Sequence, residues 1–550
     1  MATNIRLTLA QLNPTVGGLS GNAEKILTLW NEYDERTDLL IFPELFLCGY
    51  PPEDLTLNRA FLSEIEQQVE HISHTSKTLS SAALIPTIWR IDDKLYNAVL
   101  LIEHGKITHT ITKSMLPNTH IFDEPRTFSA DRPTEPIEFR GAKLGIMICE
   151  DVWHTHIPLS LKDKGAQALI AINGSPYNLN QTTARNEIAT RCVQETGLPL
   201  IYLNMVGGQD ELVFDGQSFI MNENGQLIHH APAFQNDIIC LNISDTIQIT
   251  QGENIKQVSN DWKPHAYNAL VLGLKDYIHK NGFHKAIIGL SGGVDSALTA
   301  AIAVDALGEQ NVQCVMLPSE FTSSQSLDDA KECANLLGVK YDIISIKEAV
   351  ATFEGMIPDL HGLAHENTQS RIRGAILMAL SNMTGAMLVT TGNKSEVAVG
   401  YCTIYGDMNG GFNALKDVYK TQVYELCEWR NEQGYVIPKN IITKAPTAEL
   451  REDQKDQDSL PPYDLLDDIL SLLIEYDGQD WSNASTELLK RKQRCEDHPN
   501  DVKKIAKLLK ISEYKRFQSA PGTRITFRAF GRDRRYPMTN RFVNSIEKTK

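Results

Sequence analysis

A short turn made of glycine and serine carries the most specific chemical pattern in the chain. It follows the apolar residues 286–288 and leads into a segment, 297–307, with the composition of a helix. A buried strand is therefore predicted to turn tightly into a helix, so that backbone N–H groups close on an anion and the helix N-terminus adds its partial positive charge. We predict that this turn binds a nucleotide phosphate. It consists of Gly289, Leu290, Ser291, Gly292, Gly293, Val294, Asp295 and Ser296.

The Ser-Gly-Gly-x-Asp-Ser pattern within that turn differs from the Walker pattern, which needs Gly-Lys-Ser/Thr. It resembles the pyrophosphatase loop of enzymes that adenylate a carbonyl oxygen and expel pyrophosphate. By this resemblance the hydroxyls of Ser291 and Ser296 would hold the β and γ phosphates of ATP, and Asp295 would ligate a bridging Mg²⁺. The alternative is a glycine-rich turn in which an aspartate or a serine only caps a helix.

A second carboxylate, that of Glu396, is expected beside Asp295. Glu396 comes shortly after the predicted strand 386–391, and an open α/β sheet binds its ligands at the carboxyl ends of its strands. The two carboxylates could therefore face one crevice and share the metal ion. Taken singly, Glu396 would be a solvated carboxylate at the start of a helix, and Lys420 would be a surface lysine.

Three reactive residues of the first half also lie next to apolar segments. Glu44 and Cys149 each end an apolar run, and Lys113 opens a new segment. A cysteine near a lysine and a glutamate could act as a thiolate nucleophile, with the lysine stabilising negative charge and the glutamate taking the thiol proton. The alternatives are a cysteine that serves as a small buried apolar residue, a solvated carboxylate in a turn, and a surface lysine.

Glu44, Lys113 and Cys149 stand in the order and local contexts of the nitrilase-like amidase superfamily. The surrounding sequence resembles one branch of it, the glutaminase domain of glutamine-dependent NAD synthetases. By this resemblance Glu44 is the general base, and Lys113 helps to hold the oxyanion together with the backbone N–H that follows the nucleophile. Cys149 would attack the side-chain amide of glutamine, release ammonia and leave a glutamyl thioester for water to hydrolyse. The segments that carry the resemblance are 42–55, 122–124, 174–177 and 206–216.

The same resemblance implies four positions that bind glutamine. Glu150 and Ser175 are placed to do so. Thr119 stands where the family usually has tyrosine, and Gln181 stands where it usually has a basic residue. Both positions are associated with glutamine recognition in the family. Glutamine binding is therefore predicted to depart from the family pattern at these two residues.

The second half resembles the NAD synthetase domain over 366–373, 390–396, 400–407 and 417–421. The implied reaction is adenylation of the nicotinate carboxylate of deamido-NAD⁺, followed by attack of ammonia to give NAD⁺, AMP and pyrophosphate. Besides the glycine–serine turn, the implied ATP contacts are Thr391 and Lys420. The implied contacts to deamido-NAD⁺ are Asn367, Arg371, Glu396, Asp407 and Lys515, with Asp295 and Glu396 as metal ligands.

Lys515 opens a basic segment, 515–535. In isolation such a segment would indicate a nucleic-acid patch, but the net charge of −16 argues against nucleic acid as a general partner. In this context the segment resembles the tail of the family, which closes on the phosphates of the dinucleotide. We therefore expect no nucleic-acid partner.

Two α/β domains must position these residues. Residues 1–245 alternate buried strands with helices and resemble a nitrilase-like α-β-β-α sandwich, whereas 262–550 predict a doubly wound parallel sheet of the adenine nucleotide alpha hydrolase-like type. The stretch 246–261 is polar and lacks periodicity, so we predict a linker. Because only neutral ammonia can attack a carbonyl, a glutaminase on the same chain predicts a shielded channel for it. The predicted strands are 5–12, 39–42, 82–89, 98–102, 145–149, 168–172, 200–204 and 218–221, then 285–289, 313–317, 340–344 and 386–391.

Composition sets the remaining expectations. A chain of 550 residues is too long for one ordinary core, and no apolar run reaches the roughly 18 residues that span a bilayer. Its nine cysteines are scattered and form no Cys-x-x-Cys pair, which argues against a disulfide framework or a zinc site. We expect a reduced, cytoplasmic homo-oligomer without membrane contacts, whose partners are glutamine, ATP and deamido-NAD⁺.

Two other functions share some of these features. Another glutamine-dependent amidotransferase with this loop, such as a GMP or asparagine synthetase, would act on a different carboxylate or carbonyl. Those enzymes pair the loop with other glutaminase folds and lack segments like 366–373 and 400–407. A nucleotide-binding regulatory protein with a degenerate amidase is the third possibility. The intact Glu44, Lys113 and Cys149 argue against it.

Overall fold

The computed structural model describes residues 4–130, 135–244, 246–254, 261–477, 481, 484–543 and 545–546. The chain forms two compact units, Met1–Asn260 and Asp261–Lys550. Across the described ranges, none of the helices is both long enough and apolar enough to cross a membrane.

Mixed β-sheets and four α-helices make up the described part of the first unit. Its strands are β1 (Ile5–Gln11), β2 (Leu39–Ile41), β3 (Ala82–Ile91), β4 (Lys94–Glu103), β5 (Lys106–Thr112), β6 (Ile137–Phe139), β7 (Ala142–Ile148), β8 (Ala168–Asn173), β9 (Leu200–Asn204), β10 (Val206–Gln209), β11 (Leu212–Asp215), β12 (Phe219–Met221), β13 (Leu227–His230), β14 (Asp237–Ile243) and β15 (Ile247–Gln251). Its helices are α1 (Leu19–Tyr33), α2 (Arg59–Thr75), α3 (His156–Asp163) and α4 (Gln181–Thr196).

Two large sheets stack face to face, and helices cover their outer faces. The strand orders are β15-β14-β1-β2-β3-β4-β5 and β13-β12-β9-β8-β7-β6. Leu9 and Ile41 of the first sheet share one apolar core with Ile146 and Ile170 of the second. Separate cores join α1 and α2 to the first sheet, and α3 and α4 to the second. The α-β-β-α sandwich that the resemblance implied is confirmed.

Strand β7 shows why the central strands are visible in the sequence. Its residues Ile146 and Ile148 point into the core between the sheets, whereas Met147 points toward α3 and α4. Successive side chains of a strand alternate between its two faces, and here both faces are covered. The strand is therefore apolar at almost every position, as parallel strands buried on both sides are.

The predicted linker was wrong over Ile247–Gln251, which forms β15. This strand pairs antiparallel with β14, and its register includes Leu241 opposite Ile249. It lies at the edge of its sheet, and its side chains are exposed or half-buried. Edge strands carry polar residues, so the apolar signal used to predict strands is missing. The rest of the predicted linker includes 255–260, which lies outside the described residues.

The second unit contains a parallel sheet and mostly helical segments after it. Its strands are β16 (Ala286–Gly289), β17 (Val312–Met316), β18 (Lys340–Ile343), β19 (Met387–Thr390) and β20 (Phe412–Asn413). Its helices are α5 (Trp262–Lys280), α6 (Val294–Leu307), α7 (Ser324–Leu337), α8 (Lys347–Met356), α9 (Gly362–Thr384), α10 (Lys394–Val399), α11 (Lys420–Gln433), α12 (Lys439–Thr443), α13 (Tyr463–Ile474), α14 (Thr486–Glu496), α15 (Pro499–Ile511) and α16 (Glu513–Arg516).

The five strands pair in the order β18-β17-β16-β19-β20, and every neighbouring pair is parallel. The chain runs from β16 outward to β18 and then returns to β19 on the other side of β16. This reversal makes a crevice at the carboxyl ends of β16 and β19, where doubly wound sheets bind ligands. The predicted doubly wound parallel sheet is confirmed.

Candidate active sites

The predicted nucleophile stands at a sharp turn after β7. Cys149 opens a short 3-10 helix, Cys149–Trp153, and its backbone φ is 45°, in the left-handed region that residues other than glycine rarely adopt. The chain therefore leaves the direction of β7 at the residue that carries the thiol. The side chain is almost wholly buried.

Asp151 fixes this turn and was not predicted from the sequence. Its Oδ2 accepts a hydrogen bond from the backbone N–H of Ile148 at 3.0 Å. Its Oδ1 accepts from the N–H groups of Ser114 and Met115 at 2.9 and 2.8 Å. One carboxylate therefore joins the nucleophile's turn to the segment that follows Lys113. Burial raises the pKa of this carboxyl to about 6, against the effect of its hydrogen bonds.

The predicted base and the predicted lysine are in direct contact. Lys113 Nζ donates to Glu44 Oε1 at 2.8 Å, and neither side chain is exposed. The same oxygen accepts from Asn97 Nδ2 at 2.7 Å, and Glu44 Oε2 accepts from the backbone N–H of Gly174 at 2.8 Å. Both oxygens of the base are therefore oriented by fixed donors.

Glu124 completes the cluster, and sequence reasoning gave it no role. Lys113 Nζ donates to Glu124 Oε1 at 2.8 Å, and the Tyr50 hydroxyl donates to the same oxygen at 3.0 Å. Burial raises the pKa of Glu124 to about 7 although Lys113 acts in the opposite direction. Its only sequence signal was its place in the segment 122–124, which contributed to the resemblance.

The charges of this cluster act on Cys149. Burial raises the pKa of the Cys149 thiol well above its usual range, Glu44 raises it further, and Lys113 opposes both. Burial alone would lower the pKa of Lys113, but Glu124 and Glu44 hold it well above its usual range. The resting site therefore combines a neutral thiol with a charged ammonium, and attack by sulfur needs a base to take the thiol proton.

We expect Cys149 to react slowly with iodoacetamide at pH 7 and faster as the pH rises above 9. The thiolate is the reacting species, and burial together with Glu44 shifts its formation to higher pH. Peptide mass spectrometry of the intact chain after timed alkylation would measure the rate at each pH. A rate at pH 7 equal to that of the same cysteine in the unfolded chain would contradict the raised pKa.

Replacing Lys113 with methionine should destabilise the first unit by about 3–5 kcal/mol, because two buried carboxylates would lose their shared cation. Thermal unfolding monitored by circular dichroism would measure the loss. The matched control is Lys162→Met, at an exposed position of α3, which should change stability by less than about 0.5 kcal/mol. Equal stability of the two variants would show that Glu44 and Glu124 do not depend on the lysine.

The structure brings together two of the four predicted glutamine-binding residues. The Oγ of buried Ser175 accepts from Gln181 Nε2 at 3.3 Å, and Gln181 is itself held by Asn178 Nδ2 at 2.8 Å. Glu150 is half-buried and its Oε1 lies 3.2 Å from His154 Nε2. Thr119 is exposed, in a turn where its carbonyl accepts from the N–H of Phe122.

Arg185 supports Ser175 and was missed from the sequence. Its Nε donates to Ser175 Oγ at 3.1 Å and one terminal nitrogen donates to the Ser175 carbonyl at 2.7 Å. The other terminal nitrogen binds both oxygens of Asp215, at 2.8 and 3.0 Å. Both charged groups are buried. A paired guanidinium therefore fixes the side chain and the carbonyl of Ser175 together.

In the second unit the glycine–serine turn connects β16 to α6 as predicted. The helix begins at Val294, three residues before the predicted start at 297, so Asp295 and Ser296 lie in its first turn. Ser291 Oγ and Ser296 Oγ are 3.1 Å apart, and Ser291 Oγ also accepts from the Gly293 N–H at 3.2 Å. These hydrogen bonds hold the shape of the turn.

Gly292 occupies a position where only glycine fits. Its φ is 78°, and a Cβ there would lie 2.4 Å from the carbonyl oxygen of Ser326, in the first turn of α7. Both the left-handed backbone and the close approach of a neighbouring helix exclude a side chain. The turn is therefore packed against α7 without space between them.

Asp295, Glu396 and Lys420 meet at the crevice beside the turn. Lys420 Nζ donates to Asp295 Oδ2 and lies 3.4 Å from Glu396 Oε1. Asn393 Nδ2 donates to Asp295 Oδ1 at 2.8 Å. The cleft is lined by the turn residues from Ser291 to Ser296 together with Thr391, Glu396, Asp407, Lys420, Lys444 and Glu449, among others.

Burial raises the pKa of Glu396 to about 8, Lys420 acts against this shift, and Asp295 adds to it. Two carboxylates and one ammonium thus share a desolvated site in which a further cation would be favoured. Within the described ranges, no group of three or more histidine, cysteine or acidic side chains could hold a metal alone. Mg²⁺ is commonly bound by one or two carboxylates together with substrate phosphates, and Asp295 and Glu396 fit that arrangement.

The residues predicted to contact deamido-NAD⁺ gather around the segment 400–407. Asn367 Oδ1 accepts from Thr403 Oγ1 at 2.7 Å, and Arg371 Nε donates to the Ile404 carbonyl at 3.2 Å. Asp407 is an exposed residue of the cleft lining, and desolvation there raises the pKa of its carboxyl to about 6. These side chains therefore position one loop.

The basic tail uses much of its charge within the protein. Lys515 Nζ donates to the carbonyls of Gly400 and Cys402 at 2.8 and 2.7 Å. Arg516 and Arg534 both pair with Glu513, at 2.8 and 2.5 Å. The sequence predicted a cationic surface for phosphates, but these two arginines are buried and already paired.

Comparisons with known proteins match each half of the chain to a family. Residues 6–251 match the carbon-nitrogen hydrolase family and residues 266–519 match the NAD synthase family. The fold and the two sites thus define a chain that joins a carbon-nitrogen hydrolase to an NAD synthase. The chain belongs to the family of glutamine-dependent NAD(+) synthetases, which confirms the resemblance seen in the sequence.

Relatives with that name share its full length. The Rhodobacter capsulatus protein is 45% identical over 98% of this chain and 99% of its own, and the Synechocystis protein is 42% identical over the same shares. The structure of the Acinetobacter baumannii glutamine-dependent NAD⁺ synthetase in complex with ADP is 35% identical, with a TM-score of 0.77, covering 98% of this chain and 99% of the other. The Cytophaga hutchinsonii structure, at 21% identity and a TM-score of 0.79, shows the same fold.

Proposed function

We propose that the protein converts deamido-NAD⁺ to NAD⁺ with ATP, using ammonia that it releases from glutamine. The observation that carries this proposal is the presence of two complete constellations on one chain. In the first, the charges of Glu44 and Lys113 act on the Cys149 thiol. In the second, Lys420 pairs with both Asp295 and Glu396. We assign the first activity to residues 1–245 and the second to 262–550.

In the glutaminase reaction, Glu44 takes the thiol proton as the sulfur of Cys149 attacks the side-chain amide of glutamine. Lys113 and the backbone N–H of Glu150 stabilise the negative charge on the amide oxygen. Glu44 then returns the proton to the leaving ammonia, and water hydrolyses the thioester. Because Glu44 is held by Asn97 and Gly174, the base keeps one orientation through these proton transfers.

We propose that Ser175, Gln181, Glu150 and Thr119 bind glutamine. Ser175 and Gln181 are already hydrogen-bonded to each other, so the substrate would meet a preformed polar surface. Glu150 carries a negative charge that suits the α-ammonium group of an amino acid. Thr119, being exposed, is available to a ligand from solvent.

In the synthetase reaction, the turn from Gly289 to Ser296 holds the phosphates of ATP through its N–H and hydroxyl groups. Lys420 stabilises negative charge that develops on the leaving pyrophosphate, and Thr391 lines the same cleft. Bound Mg²⁺, held by Asp295 and Glu396, would neutralise phosphate charge. Asn367, Arg371, Asp407 and Lys515 shape the segment 400–407, and we assign the dinucleotide to that side.

Pyrophosphate release from ATP, across a panel of carboxylate acceptors and with glutamine or ammonium as donor, tests this function. Deamido-NAD⁺ should be the preferred acceptor, and AMP and NAD⁺ should form in equal amounts. Preference for another carboxylate would favour a different amidotransferase of the same loop type. The absence of pyrophosphate with every acceptor would contradict a synthetase altogether.

We also propose that the chain forms a homo-oligomer through α8 and the start of α9. Met356 of α8 and Leu363 of α9 are each 71% exposed, and Phe353 and Ile357 are exposed beside them in sequence. Apolar groups exposed together are typical of interaction surfaces, and a second copy would bury them without any further partner. Light scattering of the purified chain, compared with that of Met356→Glu, tests this interface; a monomeric wild-type chain would contradict it.

A further inference from the structure

One buried carboxylate, that of Asp467, contacts the residues that stand next to Glu396 and Lys420 in sequence. Asp467 lies on α13 and is 7% exposed. Its Oδ1 accepts from the Ser395 hydroxyl at 2.5 Å. Its Oδ2 accepts from the backbone N–H and the hydroxyl of Thr421, at 2.9 and 2.8 Å. Neither Ser395 nor Thr421 was singled out by the sequence.

Both partners of Asp467 are adjacent in sequence to a charged residue of the cleft. Ser395 directly precedes Glu396 in α10, and Thr421 directly follows Lys420 in α11. Ser395 Oγ also accepts from the backbone N–H of Lys420 at 2.9 Å. One carboxylate therefore links the first turns of two helices that reach the cleft from different parts of the chain. It also lies at both helix N-termini, where a negative charge is favoured.

An apolar residue would serve ordinary packing better at this position. Leu466, Ile469 and Leu470 of the same helix are fully buried in an apolar core. Removing a carboxylate from water has a free-energy cost that only well-formed hydrogen bonds offset. Burial also raises the pKa of Asp467 to about 6, although Ser395 and Thr421 lower it. Because burying the Asp467 carboxylate has this free-energy cost, we expect it to have a role other than packing.

We propose that Asp467 is a positioning residue of the synthetase reaction, which sets the distance between Glu396 and Lys420 through Ser395 and Thr421. This inference rests on the proposed function for the roles of those two charged groups. Asp467 is not among the residues that line the cleft. Its contacts fix α10 and α11, which carry Glu396 and Lys420. The distance that it sets is the 3.4 Å between Lys420 Nζ and Glu396 Oε1.

The variants Asp467→Asn and Asp467→Ala, in the full chain, test the proposal with ammonium as nitrogen donor. Displacement of a catalytic group by about 1 Å lowers rates by about 100-fold, and we expect a kcat loss of that order for alanine. Asparagine keeps the volume and the acceptor for Thr421, so its loss should be smaller, about tenfold. Glutamine hydrolysis by the first unit should be unchanged, and circular dichroism during thermal unfolding shows whether the second unit, which carries Asp467, has folded.

The neighbouring variant Asp468→Asn is the matched control. Asp468 is buried to a similar degree on α13, but it pairs with Arg494 of α14 at 2.8 Å. It should leave kcat unchanged. Ser395→Ala should reproduce much of the effect of Asp467→Asn, and the double variant should lose little more, because both remove the same link.

The geometry of the variant separates positioning from a loss of stability. A crystal structure of the variant should show a longer distance between Glu396 and Lys420, whether or not the chain makes NAD⁺.

The outcomes are distinct. Failure of the wild-type chain to amidate deamido-NAD⁺ would overturn the proposed function, and the crystal structure would still decide the role of Asp467. An unchanged distance between Glu396 and Lys420, or an equal kcat loss in Asp468→Asn, would each overturn the positioning role. Loss of kcat together with a longer distance between Glu396 and Lys420 supports it.

Discussion

Cys149→Ala is expected to abolish amidation driven by glutamine and to leave amidation driven by added ammonium intact. Loss of an essential nucleophile lowers a rate by about 10⁴-fold or more, so glutamine hydrolysis should fall to background. The synthetase reaction needs no thiol, because we assign it to Asp295, Glu396 and Lys420 of the second unit. NAD⁺ formation with each nitrogen donor, measured on the same preparation, gives both values.

Cys192→Ala provides the matched control for that result. Cys192 is a free cysteine of the same unit, buried on α4 within the apolar core that α3 and α4 share. Its removal should leave both activities close to wild type. If Cys149→Ala also lost ammonium-driven synthesis, the division of labour between the two constellations would be wrong. Retained glutamine-driven synthesis would instead exclude Cys149 as the nucleophile.

Asp295→Asn is expected to show the opposite pattern, with synthesis lost for both nitrogen donors and glutamine hydrolysis retained. Asparagine keeps the size of the side chain but removes the charge that pairs with Lys420. It also removes a proposed ligand of Mg²⁺. Loss of one electrostatic partner in a desolvated site lowers kcat by about 10²–10³-fold, and pyrophosphate release with saturating ammonium would measure it.

Asp305→Asn, on the same helix α6, controls for the loss of an ion pair as such. Asp305 pairs with Arg430 at 2.7 Å and accepts from the Tyr267 hydroxyl at 2.6 Å, at the other end of the helix from the turn. It should keep full synthesis. Similar losses in both variants would mean that charge on α6 matters only for folding. Normal synthesis by Asp295→Asn would remove Asp295 from the reaction.

The sequence predicted central strands that are buried on both faces and missed two polar edge strands. The strand at Ala168–Asn173 is buried at all six positions and was predicted to within one residue. Lys106–Thr112 is exposed at its first five positions and Ile247–Gln251 is an edge strand, so neither has an apolar run. Polar edge strands owe their pairing to the neighbouring strand, which local composition does not reveal.

The residues of the candidate sites also differ in how much local signal the sequence carries for them. Glu44, Lys113 and Cys149 carried local contexts that pointed to them, and the structure places their charges close enough to act on one another. Asn97 carried no such signal, and Glu124 had only its place in the segment 122–124, although both contact the cluster. Asn97 lies 53 residues from Glu44 in sequence, and only folding brings the pair together. Residues that orient a catalytic group are therefore harder to predict than the group itself.

Gly292 offers a way to tell intact members of this protein class from inactive copies. Any other residue there would adopt an unfavourable φ and overlap the Ser326 carbonyl, so it would displace the turn or α7. A gene that keeps Asp295 and both serines but has lost this glycine should encode a chain that folds poorly around ATP. Because the constraint at Gly292 is purely steric, its loss should disable the turn even where every reactive side chain is kept.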